Sequence, residues 1–494
     1  MRWDAVNYET IIGLEVHAQL LTRSKMFCRC SAAYADAPPN THVCPVCLGM
    51  PGVLPAINKQ AVEYTMMTAL ALHSTVSEYT KFDRKNYPYP DLVKGYQISQ
   101  YDAPIGYGGW LTIEVDGEKK RVGITRVHLE EDVAKLVHRA PPGEESYSLV
   151  DVNRSGVPLM EVVGEPDLRS AEEARQYLMK LRTILRYLGV STGNMEEGSF
   201  RCDANISIRP EGKPETLAKV EVKNMNSFRA VYRALEYEAR RQRRVTREGK
   251  RLTQETRGWV EEKGKTVSQR SKEYAHDYRY FPEPDLPPLV LSREWVEEVR
   301  AKLPELPEAR RDRFVAEYKL SAYDANLVTA SRAAADYFEA CLEVGLPEGL
   351  SLSRRAKMMS NWLSGEFSRL LNATGTEIAD SRVSPEQLCQ LLDLVHKGSI
   401  SGTSAKAAFE EMFSTGESAA DIVTRRGLRQ ISGSGEIEEK VIEIINSNGP
   451  AVADYKAGKA QALKFLVGQV MRATGGRANP GLVNELMEKR LKEG

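Results

Sequence analysis

Ile11–Leu20 reads IIGLEVHAQL, and its apolar positions Ile11, Ile12, Leu14 and Val16 predict a buried strand. Two polar residues interrupt it, Glu15 and His17. Side chains in a strand alternate with period two, so both face the same way. Two readings fit: a salt-bridged core pair, or half of a metal site on a rigid strand.

The same patterning predicts most of the elements up to about residue 290. Asn58–His73 has Ala61, Met66, Ala69 and Leu70 on one side, as a helix would. Lys81–Asp91 carries Pro88 and Pro90 and reads as a non-helical loop that holds Arg84 and Lys85 beside aromatics. It is either solvated or a cationic lid over an anion. Residues 110–140 read as a hairpin turning at Asp116-Gly117 and leading to Arg126-Val-His128-Leu-Glu130-Glu131-Asp132. His128 and Glu130 share a face, and Glu131 takes the other unless a bulge re-aims it. Three acids in a row repel one another, and a cation would resolve the conflict. Tyr147–Val163 reads as two strands around Asn153–Gly156, with Glu161 set between apolar neighbours. Ser170–Gly189 is a helix with a Ser170/Glu173 capping box, and it serves packing. Along Phe200–Ile208, Arg201, Asp203, Asn205 and Ser207 alternate with apolar residues. Lys223 ends the next strand. A helix from Ser227 then runs into Arg240–Arg247, which reads as a solvated helix end, with RNA contact as the second reading. Gln269–Leu289 is a long basic loop with Arg270 and Lys272, and its prolines mark a boundary.

Beyond that loop the period becomes helical, with caps at Ser353 and Ser384-Pro-Glu. The expected organisation is α+β over residues 1–290, then two all-α domains, 291–400 and 401–494. Near the end, Asn479 is an expected N-cap with Pro480 in the first turn. Glycines, Arg477 and this helix start make a phosphate-friendly surface.

Composition narrows the setting. The chain has 494 residues, is 42% hydrophobic, and has 68 basic and 68 acidic side chains, so any nucleic-acid contact is a local patch. No apolar run reaches the roughly 18 residues of a membrane span, and the start lacks a secretory signal's apolar core. Seven cysteines, four of them clustered, argue for a reducing, cytoplasmic location. Cys28-Arg-Cys30 and Cys44-Pro-Val-Cys47 have the spacing of a structural zinc site, with an iron–sulfur cluster or a vestigial site as alternatives. Glu15, Glu130, Glu131, Glu161 and Asp203 are strand-borne acids, with His17 among them. Arg84, Lys85, Arg126, Arg201, Lys223, Arg270 and Lys272 are the basic groups available. Hard oxygen ligands suit magnesium, and a ring of cations suits the phosphates it carries. No GxxxxGK[ST] loop is present, so this reads as phosphoryl transfer without a Walker motif, activating a carboxylate.

GLEVHAQL, CRC…CPVC, HLEED, NRSGVPLMEVV, FRCDANIS, EVKNMNS and DYRYFPEPDLPPL resemble the GatB family, one of the component chains of aspartyl/glutamyl-tRNA(Asn/Gln) amidotransferases. The resemblance spans the whole chain. It implies a glutamine-synthetase-like catalytic cradle with a zinc loop, a helical domain, and a YqeY-type tail that binds tRNA. It implies ATP-dependent phosphorylation of the side-chain carboxylate of Glu-tRNA(Gln), Asp-tRNA(Asn) or both, followed by amidation. Carried over, Glu15, His17, Glu130, Glu131 and Glu161 are candidate magnesium ligands, and Cys28, Cys30, Cys44 and Cys47 the zinc ligands. Glu15, His17, Glu130, Lys85, Arg201 and Asp203 are the catalytic candidates. Lys223, Asn205, Arg270 and Lys272 are the nucleotide-binding candidates. Cys202, Cys341 and Cys389 stand alone, without a nucleophile elbow, so ammonia is expected from a partner amidase. The resemblance adds a small third subunit (the GatA and GatC types) and misacylated tRNA, and neither membrane nor DNA. Two rival readings are a non-catalytic tRNA-binding scaffold and an acyl-phosphate ligase for a small metabolite.

Overall fold

In the computed structural model, which describes residues 7–141, 145–271, 278–345, 349–430 and 434–493, a nine-stranded sheet organises the N-terminal part. Its strands in chain order are β1 (Tyr8–Gln19), β2 (Thr75–Val76), β3 (Gly106–Val115), β4 (Glu118–Glu131), β5 (Pro158–Gly164), β6 (Phe200–Pro210), β7 (Val220–Lys223), β8 (Glu255–Val260) and β9 (Lys265–Ser271). They lie in the order β9-β8-β7-β6-β1-β5-β4-β3-β2, which makes β1 central. Neighbours pair antiparallel except β7 and β8, which run parallel.

Alternation on β1 separates the two faces of the sheet. Ile12, Leu14, Val16 and Ala18 are fully buried in the core. Helices α1 (Lys59–Ala71), α2 (Ala171–Leu188) and α3 (Phe228–Arg247) add apolar residues to it, including Met66, Leu178, Leu181, Val231 and Leu235. Glu15 and His17 face the other way, half-buried. The β3–β4 hairpin turns on Asp116 and Gly117, both at positive φ (53° and 83°), as a two-residue type I′ turn requires. Ser170 caps α2 by accepting from the Glu173 N–H at 3.1 Å. The Glu173 carboxylate accepts from the Arg169 N–H instead of closing the box on Ser170.

Three segments differ from the sequence expectation. Lys81–Asp91 contains a strand, Asp83–Asn86, paired with Tyr96–Ser99 and with Phe281–Pro282. Its prolines lie beyond the paired residues, so they do not prevent the ladder. The arginines at the end of α3 are partly engaged: Arg241 pairs with Glu238, and Arg243 donates to Thr10 Oγ1 at 2.6 Å. The helix Leu352–Trp362 is capped by Ser351 rather than Ser353, whereas Ser384 forms a full capping box with Gln387.

The chain divides into Met1–Leu306 and Pro307–Gly494. The first unit extends past residue 290 because the helix Arg293–Arg300 buries Val299 in the sheet's core. The second unit is all helical in its named elements and has two apolar cores. One runs from Phe314 to Val423 and therefore spans residue 400; the other runs from Ile437 to Leu491. Asn479 Oδ1 accepts from the N–H groups of Gly481 (2.9 Å) and Leu482 (3.2 Å), capping the last helix, Pro480–Glu493. No helix among the described residues is long and apolar enough to cross a membrane.

Candidate active site and metal centre

Strand register brings four polar residues into one cross-strand row. His17 is paired with Arg201 on β6 and with Glu161 on β5, and Glu161 is paired with His128 on β4. Glu130, two residues beyond His128, shares its face. His17 Nε2 lies 3.5 Å from Glu130 Oε1 and 3.5 Å from Glu161 Oε2. His128 Nε2 lies 3.2 Å from the same Glu161 oxygen.

Burial opposes protonation of His17, but Glu161 and Glu130 outweigh it and raise its pKa to about 9. Burial pushes the Glu161 carboxyl up, and His128 and His17 overcome this to hold it well below the ordinary range. A protonated His17 would thus lie between two carboxylates. His17, Glu130 and Glu161 each bring a donor atom within 4.8 Å of the others, which could hold a cation. Donors about 2.1 Å from one cation lie about 3.0–3.4 Å apart. The 3.5 Å separations need only a small contraction.

The three consecutive acids settle their repulsion by diverging. Glu131 turns to the other side, where Lys94 pairs with it and the Ile98 N–H donates at 3.0 Å. Asp132 lies 3.2 Å from Arg201 Nη2 and accepts from Gln19 Nε2 at 2.7 Å. Burial raises the Asp132 carboxyl, but Arg201 and Arg154 outweigh it and the net shift is downward. Glu130 accepts from Ser99 Oγ at 3.2 Å, and among the described residues no Lys or Arg lies within 4.0 Å of it. Resident lysine and arginine thus settle two of the acids, whereas Glu130 faces the histidines His17 and His128.

A second row lies alongside, Asp203–Glu15–Val163–Arg126. Glu15 Oε1 accepts from Asn205 Nδ2 at 2.7 Å, and Asp203 pairs with Lys223 at 2.6 Å. Arg126 Nε is buried without a hydrogen-bond partner. Lys85 sits 4.9 Å from the Tyr278 ring centroid. Burial acts to lower its pKa, but Tyr280, Glu130 and Glu161 outweigh this and raise it. Among the described residues no carboxylate lies within 4.0 Å of the Lys85 ammonium. Asn86 Nδ2 donates to the carbonyls of Tyr278 (3.2 Å) and Arg279 (3.0 Å), and Arg84 makes a two-pronged pair with Glu283. The segment from Tyr278 to Glu283 is thus fastened beside Lys85.

Of the expected residues, His17, Glu130 and Glu161 converge. Lys85 lies within their electrostatic reach, and Glu15, Arg201, Asp203, Asn205 and Lys223 share the face. Glu131 does not join them, and Glu15 is engaged by Asn205. Arg270 is paired through its backbone with Thr256 on β8. Lys272 lies outside the described residues. His128, Ser99, Asp132 and Tyr280 were not among the expected functional residues. The spacing His128-Leu-Glu130 was the signal for the first; the others come from cross-strand packing that no local pattern reveals.

The four cysteines form a second cluster, about which the sequence was explicit. Cys47 Sγ lies 3.6, 3.7 and 3.9 Å from the sulfurs of Cys28, Cys44 and Cys30. A tetrahedron of bonds near 2.3 Å places sulfurs about 3.8 Å apart, so the donors fit zinc. The Cys28 hydrogen bond, with help from Lys25, lowers the Cys47 thiol to about 4. The loop between the pairs is tied to the NRSG turn. Asn153 Oδ1 accepts from the His42 N–H at 2.7 Å, and Asn153 Nδ2 donates to the Pro38 carbonyl at 2.8 Å.

Comparison with known proteins places the chain in a family. A family model described as the GatB/GatE catalytic domain matches residues 10–297, and one described as the GatB domain matches 336–491. The chain is 60% identical over 489 residues to the GatB-type component of the aspartyl/glutamyl-tRNA(Asn/Gln) amidotransferase of Dehalococcoides mccartyi, covering 99% of both chains. It is 56% identical to the proteins of the same name from Carboxydothermus hydrogenoformans (98% of this chain, 99% of the other) and Thermomicrobium roseum (99% of each). A catalytic-domain match over nearly all of the sheet, a second match over most of the C-terminal helices, and near-complete coverage of these relatives together show that the chain belongs to the GatB family.

Proposed function

We propose that this chain is the activating and amidating subunit of a tRNA-dependent amidotransferase. It uses ATP to phosphorylate the side-chain carboxylate of Glu-tRNA(Gln) or Asp-tRNA(Asn) and then amidates it. The observation that supports this reading is the His17–Glu130–Glu161 cluster, with Lys85 close by and lacking a carboxylate partner among the described residues. Those three donors would hold a divalent cation, magnesium in the simplest case, which supplies charge neutralisation to the ATP phosphates. The rest falls to the protein's own groups. Lys85 offers its ammonium to the transferring phosphoryl group, and Lys223 and Arg201 add positive charge on the same face. Asp132 holds Arg201 in place, and Asn205 orients Glu15. A substrate carboxylate oxygen attacks the terminal phosphorus of ATP and ADP leaves. Ammonia then attacks the acyl carbon, the bond to the phosphate oxygen breaks, and inorganic phosphate and a proton are released.

No glutaminase constellation accompanies this site among the described residues, so the ammonia comes from a partner amidase. A small third subunit of GatC type completes the assembly. Zinc at Cys28, Cys30, Cys44 and Cys47 staples a loop that has little core of its own. The C-terminal helices, with Arg477 beside a capped helix start, contact tRNA. The cradle takes the glutamine-synthetase-like fold that the resemblance implies. The test is an amidation assay on the reconstituted complex, with ATP, magnesium, ammonium and each misacylated tRNA. Amidation that needs both ATP and the cation is expected. Amidation without ATP, or none with either tRNA, would reject the proposal.

A further inference from the structure

Lys25 has no exposed surface. Among the described residues no carboxylate lies within ion-pair distance of it. Its Nζ donates to the His42 carbonyl at 2.8 Å, and lies 3.4 Å from both the Val152 carbonyl and Cys47 Sγ. An ammonium withdrawn from water and given only neutral acceptors is strongly destabilising. Of its three acceptors, only the sulfur can carry a full negative charge. Cys47 lies within 3.9 Å of the other three sulfurs. Four thiolates around one divalent ion leave the complex doubly negative.

We propose that Lys25 is the built-in counter-ion of the four-cysteine site. It donates to Cys47 Sγ and offsets the charge of the loaded tetrathiolate, so the metal and the buried lysine stabilise each other. The same ammonium joins the His42 carbonyl, in the loop between the cysteine pairs, to the Val152 carbonyl, in the turn that leads to β5 and Glu161. Lys25 is therefore a positioning residue as well, fastening the metal loop to the turn behind the sheet site. The inference rests on zinc occupying the site, and it predicts that the lysine matters more when metal is bound. With metal bound, removing the lysine leaves the doubly negative cluster without its counter-charge. With metal stripped, only Cys47 faces the ammonium, so removing the lysine costs less.

The experiment uses the full-length chain in its complex. Zinc content, the rate of zinc transfer to a chelator, and melting temperature are measured for wild type, Lys25→Met and Lys25→Gln, loaded and stripped. Outer-shell partners of metal sites typically contribute about 10–100-fold in affinity, so both variants should release zinc at least about tenfold faster. Loaded variants should melt further below loaded wild type than stripped variants melt below stripped wild type. Zinc release at the wild-type rate, or melting lowered equally in both states, would overturn the counter-ion role. Wild type that neither contains nor takes up zinc would overturn the zinc reading itself, and the inference with it.

Discussion

The two metal-capable clusters of the N-terminal unit are built in opposite ways. The cysteine site takes its four donors from one short stretch, Cys28 to Cys47, in loops that lack regular structure. All four donors are sulfur, and the set is closed, leaving no position for a substrate. The sheet site takes its donors from residues 17, 130 and 161, on three adjacent strands. Its donors are mixed, its backbone is rigid, and three ligands leave positions open. A closed soft site suits a structural staple, whereas an open, harder site among lysines and arginines suits chemistry on phosphates.

Substitutions at the two sites should therefore separate activity from stability. The largest effect is expected at the centre of the sheet site. Glu161→Gln keeps the shape and removes a ligand charge. A loss of about 3–4 kcal/mol of cation-borne stabilisation corresponds to a roughly 100- to 1000-fold slower ATP cleavage in single-turnover kinetics. Glu15→Gln, whose carboxylate is engaged by Asn205, should lose about tenfold or less on the same assay. Equal losses at the two positions would erase the distinction between ligand and neighbour.

The cysteine site should show the converse. Cys44→Ser is expected to lose zinc and lower the melting temperature by about 5 °C or more. Activity per folded molecule should stay within about threefold, as read from metal analysis and melting on one preparation. Iron in the protein, or zinc loss with unchanged melting, would contradict the staple.

Smaller effects follow outside the clusters and with pH. Arg477→Ala should weaken tRNA binding by several-fold and reduce the slope of log affinity against log salt by about one, measured by titration at several ionic strengths. The metal-stripped protein should depend on pH through His17. Its folded pKa, about 9, lies above the ordinary 6.5. The protonated ion pair therefore contributes fully below pH 6.5, and its contribution is lost as pH rises through about 9. Melting of stripped wild type should fall across that window, and His17→Gln should flatten the fall. Cation affinity should rise across the same window, because metal and proton compete for one nitrogen.

What could be read in advance follows the same division. The cysteine set was legible because its ligands are close in sequence and their spacing is characteristic. His17 beside Glu15 was legible from strand alternation, whereas Glu131, a candidate ligand by resemblance, takes the other face that alternation alone gives it. The row Arg201–His17–Glu161–His128 was not, since it depends on three registers between distant segments. Asp132 looked like part of an acid cluster needing a cation, but Arg201, 69 positions away, already supplies one. The proline loop concealed the strand Asp83–Asn86, because its partners lie at residues 96–99 and 281–282. The boundary near 290 moved to 306 because one buried valine, Val299, commits its helix to the sheet.

The most direct measurement is of ATP cleavage by the complex supplied with ammonium, with and without misacylated tRNA, alongside cation binding, for wild type and Glu130→Gln. Among the described residues Glu130 has no lysine or arginine within 4.0 Å and faces the histidines His17 and His128, so a cation that displaces the His17 proton would meet its charge. Wild type should bind the cation and cleave ATP only when misacylated tRNA is present. Glu130→Gln should lose both properties together while staying folded, with melting lowered at most by the loss of its share of the His17 ion pair. A Glu130→Gln protein that cleaves ATP at the wild-type rate would show that the sheet cluster is not where the carboxylate is activated.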